Sequence, residues 1–149
     1  MAPNAQVIVG AGPVKSSGTM GAVERFSRSL QGIARTLAIA MQGRWDWKIR
    51  SGAPLMLVRH AAFLHNHFQV RASGLTPYEE MRGEPYRVPL HSWASPVQVR
   101  KPGAQLPGAR LERRWLPGLW MGRRSSTGEH LVATANGLVA PRACRADVT

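Results

Sequence analysis

Acidic residues are scarce in this chain of 149 residues, which has 8 Asp and Glu against 20 Lys and Arg and a formal net charge of +12. Lysine is scarce as well, since only Lys15, Lys48 and Lys101 are present. The guanidinium group of arginine binds phosphate through paired N–H donors. A pI near 11.6 in an arginine-rich chain therefore predicts a polyanionic partner, with nucleic acid as the first candidate. A solvated basic surface, or translation of GC-rich DNA with its many arginine codons, would explain the same charge.

Cysteine and long apolar runs are also lacking. Cys144 is the only cysteine, so we expect neither an intrachain disulfide nor a cysteine-based zinc site. No run approaches the roughly 18 apolar residues of a membrane helix. The first residues lack the basic and apolar regions of a signal peptide, and no membrane partner is expected.

The positive charge is concentrated at the two ends of the chain. Residues 1–50 contain 7 basic and 2 acidic residues, residues 51–93 contain 4 and 3, and residues 94–149 contain 9 and 3. Any nucleic-acid surface is therefore expected to use the ends rather than the nearly neutral middle.

Residues 21–41 have the strongest helical pattern. Apolar residues recur there at spacings of three and four, namely Val23, Phe26, Leu30, Ile33, Leu37 and Met41. The opposite side carries a polar stripe of Glu24, Arg28, Gln31 and Arg35. These four residues fall within roughly a 60° arc at about 100° per residue. The simplest interpretation is a solvated face with a weak Glu24–Arg28 pair.

Two further helical segments follow. Residues 54–70 are apolar at helical spacing, and their histidines (His60, His65, His67) are too irregularly spaced for two metal ligands on one face. We therefore expect partly buried or surface histidines. Thr76 and Glu79 predict a capping box around Pro77, and Gly83 limits that helix to about two turns.

From residue 94 onward the apolar period changes to that of strands. Strands are predicted over 96–100, 118–122, 129–135 and 138–143, with Asn136-Gly137 as a two-residue hairpin loop and 102–109 as a loop. The fold class is therefore α+β. A flexible lead-in (1–18) precedes helices (19–93) and a small basic antiparallel module (94–149) of three to five strands.

Several stretches resemble the integrase of copia-type LTR retrotransposons, a part of the Pol polyprotein. Residues 21–25 (GAVER) resemble the last catalytic block, and residues 74–79 (GLTPYE) resemble the downstream G-x-TPYE segment. Residues 59–66 (RHAAFLHN) resemble the connecting helix, and residues 111–122 and 129–137 the C-terminal basic β module. The similarity spans roughly residues 19–145, in order.

This resemblance implies a ribonuclease-H-like core in which two aspartates and one glutamate hold two Mg²⁺ or Mn²⁺ ions. The ions activate a water or a 3′-hydroxyl for in-line attack on phosphate during DNA integration. Glu24 matches the glutamate and is the candidate catalytic and metal-binding residue. The implied partner is DNA, both element ends and target duplex, in the nucleus, and self-association into a homo-oligomer is left open.

The chain also departs from the family pattern. No Asp or Glu precedes Glu24, whereas Asp46 and Asp147 follow it and cannot match the two aspartates. The amino-terminal zinc-binding module is absent, and Ala94 stands where the family usually has glycine. One carboxylate cannot hold two hard cations. We therefore expect a truncated core, helical part only, that is catalytically incomplete and binds no metal by itself.

Charge and resemblance together select the candidate nucleic-acid-binding residues: Arg25, Arg28, Gln31 and Arg35 on the helix, and Arg100, Lys101, Arg113, Arg114, Arg123 and Arg124 in the β module. A non-enzymatic basic DNA- or RNA-binding module is the alternative, with Trp115 and Trp120 stacked on bases. Its nucleic-acid contacts would come from Arg100, Lys101, Arg110, Arg113, Arg114, Arg123 and Arg124. Both tryptophans would otherwise pack in the core. A pseudogene product without a stable fold is a third interpretation.

Overall fold

A computed structural model describes residues 17–44, 53–100 and 114–147. Three helices precede a five-stranded antiparallel sheet, which confirms the α+β class and the change of period. The elements are α1 (Ser17–Arg44), α2 (Ala53–Phe68), α3 (Pro77–Arg82), β1 (Pro96–Arg100), β2 (Trp115–Arg123), β3 (His130–Thr134), β4 (Gly137–Val139) and β5 (Cys144–Ala146). Within these ranges, no helix combines the length and apolar character needed to cross a membrane.

The apolar stripe of α1 is buried only toward the carboxyl end of the helix. Met41 is fully buried and Leu37 is half-buried, whereas Val23 and Phe26 are 55% and 43% exposed. Phe26 contacts the ring of His65 on α2 edge-on, with centroids 4.8 Å apart. The sequence pattern predicted the helix but not how unevenly its apolar face is covered.

Helix α3 forms as its capping signals predict. The Thr76 hydroxyl accepts a hydrogen bond from the Glu79 amide at 3.2 Å, and the Glu79 carboxylate accepts one from the Thr76 amide at 2.8 Å. Pro77 occupies the first helical position, where no amide donor is needed. Gly83 ends the helix at φ 77°, a left-handed conformation that glycine adopts without steric penalty.

The sheet has the strand order β4-β3-β2-β1-β5, so the last strand returns to pair with the first. Residues of both edge strands, Val139 and Cys144, pack against one buried cluster formed by Val97, Val99, Trp120 and Val132. Three strand intervals separate β3 from β5, about 14 Å in a flat sheet, yet side-chain atoms of His130 in β3 and Cys144 in β5 lie within 4.8 Å of each other. The sheet is therefore strongly curved, which brings its two edges toward each other.

The last hairpin differs from the prediction. Thr134 pairs with Gly137, so Ala135 and Asn136 form the two-residue turn and Gly137 belongs to β4. Gly137 has φ 115°. Ala135 and Asn136 do not have positive φ, because Ala94 is the only non-glycine residue with positive φ in the described ranges. The loop is thus a turn followed by a positive-φ glycine rather than the predicted Asn-Gly mirror-image turn.

The predicted strand over residues 138–143 is also wrong, because only Leu138 and Val139 belong to a strand, β4, and β5 begins after the segment, at Cys144. Pro141 lies in the break, and proline cannot donate a hydrogen bond to a strand ladder. Its carbonyl instead accepts a hydrogen bond from the His130 amide at 3.0 Å. This contact holds the connection between β4 and β5 against the start of β3.

Helices and sheet share one buried core. Its residues come from α1, α2, the segment before β1, β2 and β3, namely Met41, Leu57, Trp93, Ala94, Met121 and Leu131. The predicted boundary between residues 93 and 94 falls inside this core. Ala94 is fully buried at φ 55°, in the left-handed region that favours glycine, which is the residue the integrase resemblance expects there.

Candidate nucleic-acid interface

The polar stripe of α1 lies on the exposed side of the helix. Glu24, Arg28, Gln31 and Arg35 are all exposed, and so is Arg25. The ion pairs within the described ranges are Arg71–Glu80 and Arg124–Glu129, at 2.7 and 3.5 Å, so the expected Glu24–Arg28 pair does not form. Among the residues that the structure describes, no carboxylate therefore neutralises the arginine charges of the stripe.

Glu24 does not fit the two-metal centre that the resemblance implies. Its carboxylate is exposed, and the group of three metal-ligating side chains found within the described ranges does not include it. A site for two hard cations needs several oxygen ligands around each ion. In the described part of the chain, Glu24 therefore does not belong to any group of three side chains that could hold a metal ion.

A second basic surface lies on one face of the sheet, which we call the outer face. In β1 the side chains of Val97 and Val99 point into the core, so Gln98 and Arg100 lie on the opposite side. Across the strands, Arg100 pairs with Trp115 of β2 and Gln98 pairs with Arg145 of β5. Strand pairing thus brings two arginines and a half-buried tryptophan together.

Arg145 is held in a fixed position on the outer face. Its guanidinium carbon lies 4.0 Å from the centroid of the Trp115 ring, a cation–π contact. Its Nε and one terminal nitrogen donate to the Gln98 side-chain oxygen at 3.1 and 2.7 Å. The Gln98 amide nitrogen in turn donates to Asp147 at 3.0 Å. Arg145 therefore offers its remaining N–H groups in a preorganised geometry.

The other predicted arginines of the β module differ in availability. Arg100 and Arg114 are exposed. Arg123 donates to the carbonyls of Gly128 and Pro89 at 2.7 and 3.2 Å, so it ties β2 to two loops. Arg124 is paired with Glu129. Lys101, Arg110 and Arg113 lie outside the described residues.

The two tryptophans of the β module have different roles. Trp120 is 0% exposed, and its indole N–H donates to Nδ1 of His130 at 3.0 Å. It is a core residue and cannot stack on a base, which corrects that part of the alternative interpretation. Trp115 is half-buried on the outer face, where its ring supports Arg145.

His60 is more buried than its sequence position suggested. It is 4% exposed, stacks on Trp93 with centroids 4.9 Å apart, and meets the Trp120 ring edge-on at 5.3 Å. Its Nδ1 makes no hydrogen bond. Burial lowers the pKa of His60 to about 4, so this histidine is neutral at pH 7.

The curvature of the sheet brings together three residues that lie far apart along the chain. Potential ligand atoms of His91, His130 and Cys144 lie within 4.8 Å of one another. However, Nδ1 of His130 accepts from Trp120, so a neutral ring carries its proton on Nε2, which is 3.4 Å from the Arg123 guanidinium. The proton on Nε2 of His130 and the positive charge of Arg123 both disfavour a metal ion among these three residues.

Two residues of the candidate interface were not predicted from the sequence, Gln98 and Arg145. Alternation over residues 144–146 could have placed Arg145 opposite Cys144 on the strand. The pairing of β5 with β1, which carries Arg145 to Trp115 and Gln98, is a long-range contact with no local signal.

Comparisons of the chain with protein-family models, with curated proteins and with solved structures found no match.

Proposed function

We propose that this chain is part of a copia-type retrotransposon integrase that binds DNA through its basic surfaces and does not catalyse strand transfer by itself. The observation that carries the proposal is the row of exposed arginines on α1, Arg25, Arg28 and Arg35, which lack an acidic partner within the described residues. Exposed arginine forks without intramolecular partners are suited to bind phosphate oxygens.

Four structural features support the integrase ancestry. The stretch that resembles the last catalytic block lies near the start of a long helix, and the TPYE stretch forms a capped helix start. The stretches that resemble the basic β module belong to an antiparallel sheet. Ala94 adopts a backbone conformation suited to the glycine that the family usually has there.

A basic binding module unrelated to integrases is the second candidate function. The preorganised Arg145 on Trp115 favours it, since this pair lies on the sheet and needs no catalytic helix. Both candidates bind nucleic acid. Metal-dependent nicking by pure protein that disappears in Glu24→Gln would favour a working integrase over either.

Substitutions on α1 test the proposal. We expect Arg28→Ala and Arg35→Ala each to weaken duplex DNA binding about fivefold at low salt, equivalent to about 1 kcal/mol. Each should also lower the slope of log K against log salt by about 0.9, the contribution of one phosphate. Glu24→Gln should leave the affinity unchanged or slightly tighter, because its carboxylate repels phosphate when no metal lies between them. Fluorescence anisotropy at two salt concentrations measures all three.

Arg82→Ala is the matched control, because Arg82 is an exposed arginine at the end of α3 in the nearly neutral middle of the chain. Its affinity and salt slope should equal those of the unmodified protein. Equal affinities for the Arg28, Arg35 and Arg82 variants would show that the stripe only faces solvent, and the proposed role of α1 would then be wrong.

A further inference from the structure

The outer face of the sheet continues into an open cleft near the end of β5, where Asp147 lines it. The cleft has a volume of about 430 Å³, and its floor is apolar, formed by Pro117 and Leu119 of β2 and Ala133 of β3. Asp147 and Thr134 lie at its edge. Gln98 connects the cleft to the basic surface, since its side chain bonds to both Asp147 and Arg145.

Asp147 gives this cleft a chemistry different from that of a phosphate-binding surface. One carboxylate oxygen accepts from Gln98 at 3.0 Å, and within the described residues the other oxygen has no hydrogen-bond partner. A carboxylate repels phosphate, so its presence beside Arg100 and Arg145 favours a ligand that has an N–H donor as well as a negative charge. An unpaired nucleotide with an amino-bearing base has both.

We infer that the cleft binds one unpaired base of single-stranded DNA. The base lies against the apolar floor, its amino group donates to Asp147, and Arg145 holds the neighbouring phosphate. The inference rests on the proposed nucleic-acid binding and names a ligand for the outer face. Trp115 and Gln98 are positioning residues, because they fix the Arg145 guanidinium before the ligand arrives.

Single strands are favoured over duplex for a geometric reason. In a duplex the faces of each base are stacked and one hydrogen of its amino group is already engaged in base pairing, whereas an unpaired base exposes both its apolar faces and all of its donors. Among the bases, cytosine presents an amino donor that aspartate accepts well. Thymine has no amino group, and its one free N–H donor, at N3, lies between two carbonyl oxygens that repel the carboxylate.

The test compares binding of oligo(dC) and oligo(dT) of equal length, by fluorescence anisotropy at pH 7 and fixed salt. We expect oligo(dC) to bind about tenfold tighter, within the discrimination that one good base contact provides. Asp147→Asn should bring the ratio of the two affinities close to one. Arg145→Ala should weaken both oligonucleotides about fivefold without changing the ratio.

Glu84→Gln serves as the control for loss of one negative charge, because Glu84 is exposed and distant in sequence from the cleft. It should leave the ratio unchanged, and a thermal melt should show that every variant is folded. Equal affinities for oligo(dC) and oligo(dT), with tight duplex binding retained, would overturn this inference and leave the proposed function standing. Failure to bind any nucleic acid at low salt would overturn both.

Discussion

Trp120→Ala is expected to lower the free energy of unfolding by about 3–5 kcal/mol, the range for truncation of a buried tryptophan. The ring is fully buried among Val97, Val99 and Val132, so its loss leaves a cavity at the centre of the curved sheet. The change also removes the indole N–H that binds His130 at 3.0 Å, which leaves a buried ring nitrogen without its donor.

Urea unfolding followed by circular dichroism measures this loss. Trp115→Ala is the matched control, because that ring is half-buried on the outer face and its removal should lower stability by only about 1 kcal/mol. If the two variants were equally stable, and Trp120→Ala instead weakened DNA binding, Trp120 would have to be a binding residue rather than a core residue.

Acidification is expected to destabilise the protein between pH 6.5 and 4. Burial is the main cause that lowers the pKa of His60 and of His130 from 6.5 to about 4, with nearby Arg123 and His91 adding to the effect at His130. The unfolded chain therefore binds protons first as the pH falls. The contribution of these two histidines to the free energy of unfolding, on the order of 2 kcal/mol each after allowance for solvent screening, is fully present above pH 6.5 and is lost as the pH falls through 4.

Unfolding free energies measured in urea at pH 7, 5.5 and 4.5 give this dependence directly. His60→Phe keeps an aromatic ring for Trp93 to stack on and cannot take up a proton, so it should reduce the pH dependence by about half. Equal stability at pH 7 and 4.5, or the same pH dependence in His60→Phe, would show that these rings are not buried as described.

The helices could be predicted because their signals are local. The capping box of α3 lies within four residues, and Gly83 marks the helix end by its own backbone freedom. The periodicity of α1 is local too. The packing of other elements against the apolar side of α1 is not a local property of the sequence. The exposure of Val23 and Phe26 was therefore not predicted.

In the sheet, local signals predicted individual strands but not how the strands pair. Alternation identified Pro96–Arg100 as a strand to the residue, but nothing in that segment indicates that β5 will pair beside it. The turn after β3 misled the prediction, because Asn136-Gly137 can serve either as a mirror-image turn or as a turn ending in a positive-φ glycine.

Only the part of the candidate interface that lies on one helix could be predicted, because the rest depends on long-range strand pairing. The stripe on α1 follows from helical spacing alone, and all of its residues are exposed. Arg145, Gln98 and Asp147 come together only through the strand order and its curvature. Composition could not separate Arg123, whose donors serve two loop carbonyls, from Arg100, which is exposed.

The salt dependence of duplex DNA binding by the unmodified chain tests the central claim most directly. Most of the positive charge lies in residues 1–50 and 94–149, and the exposed arginines of both regions are available to phosphate. We predict tight, sequence-tolerant binding at low salt and a slope of log K against log salt of about −3 or steeper, which corresponds to three or more phosphates. No binding at low salt, or an affinity that does not change with salt, would contradict the account.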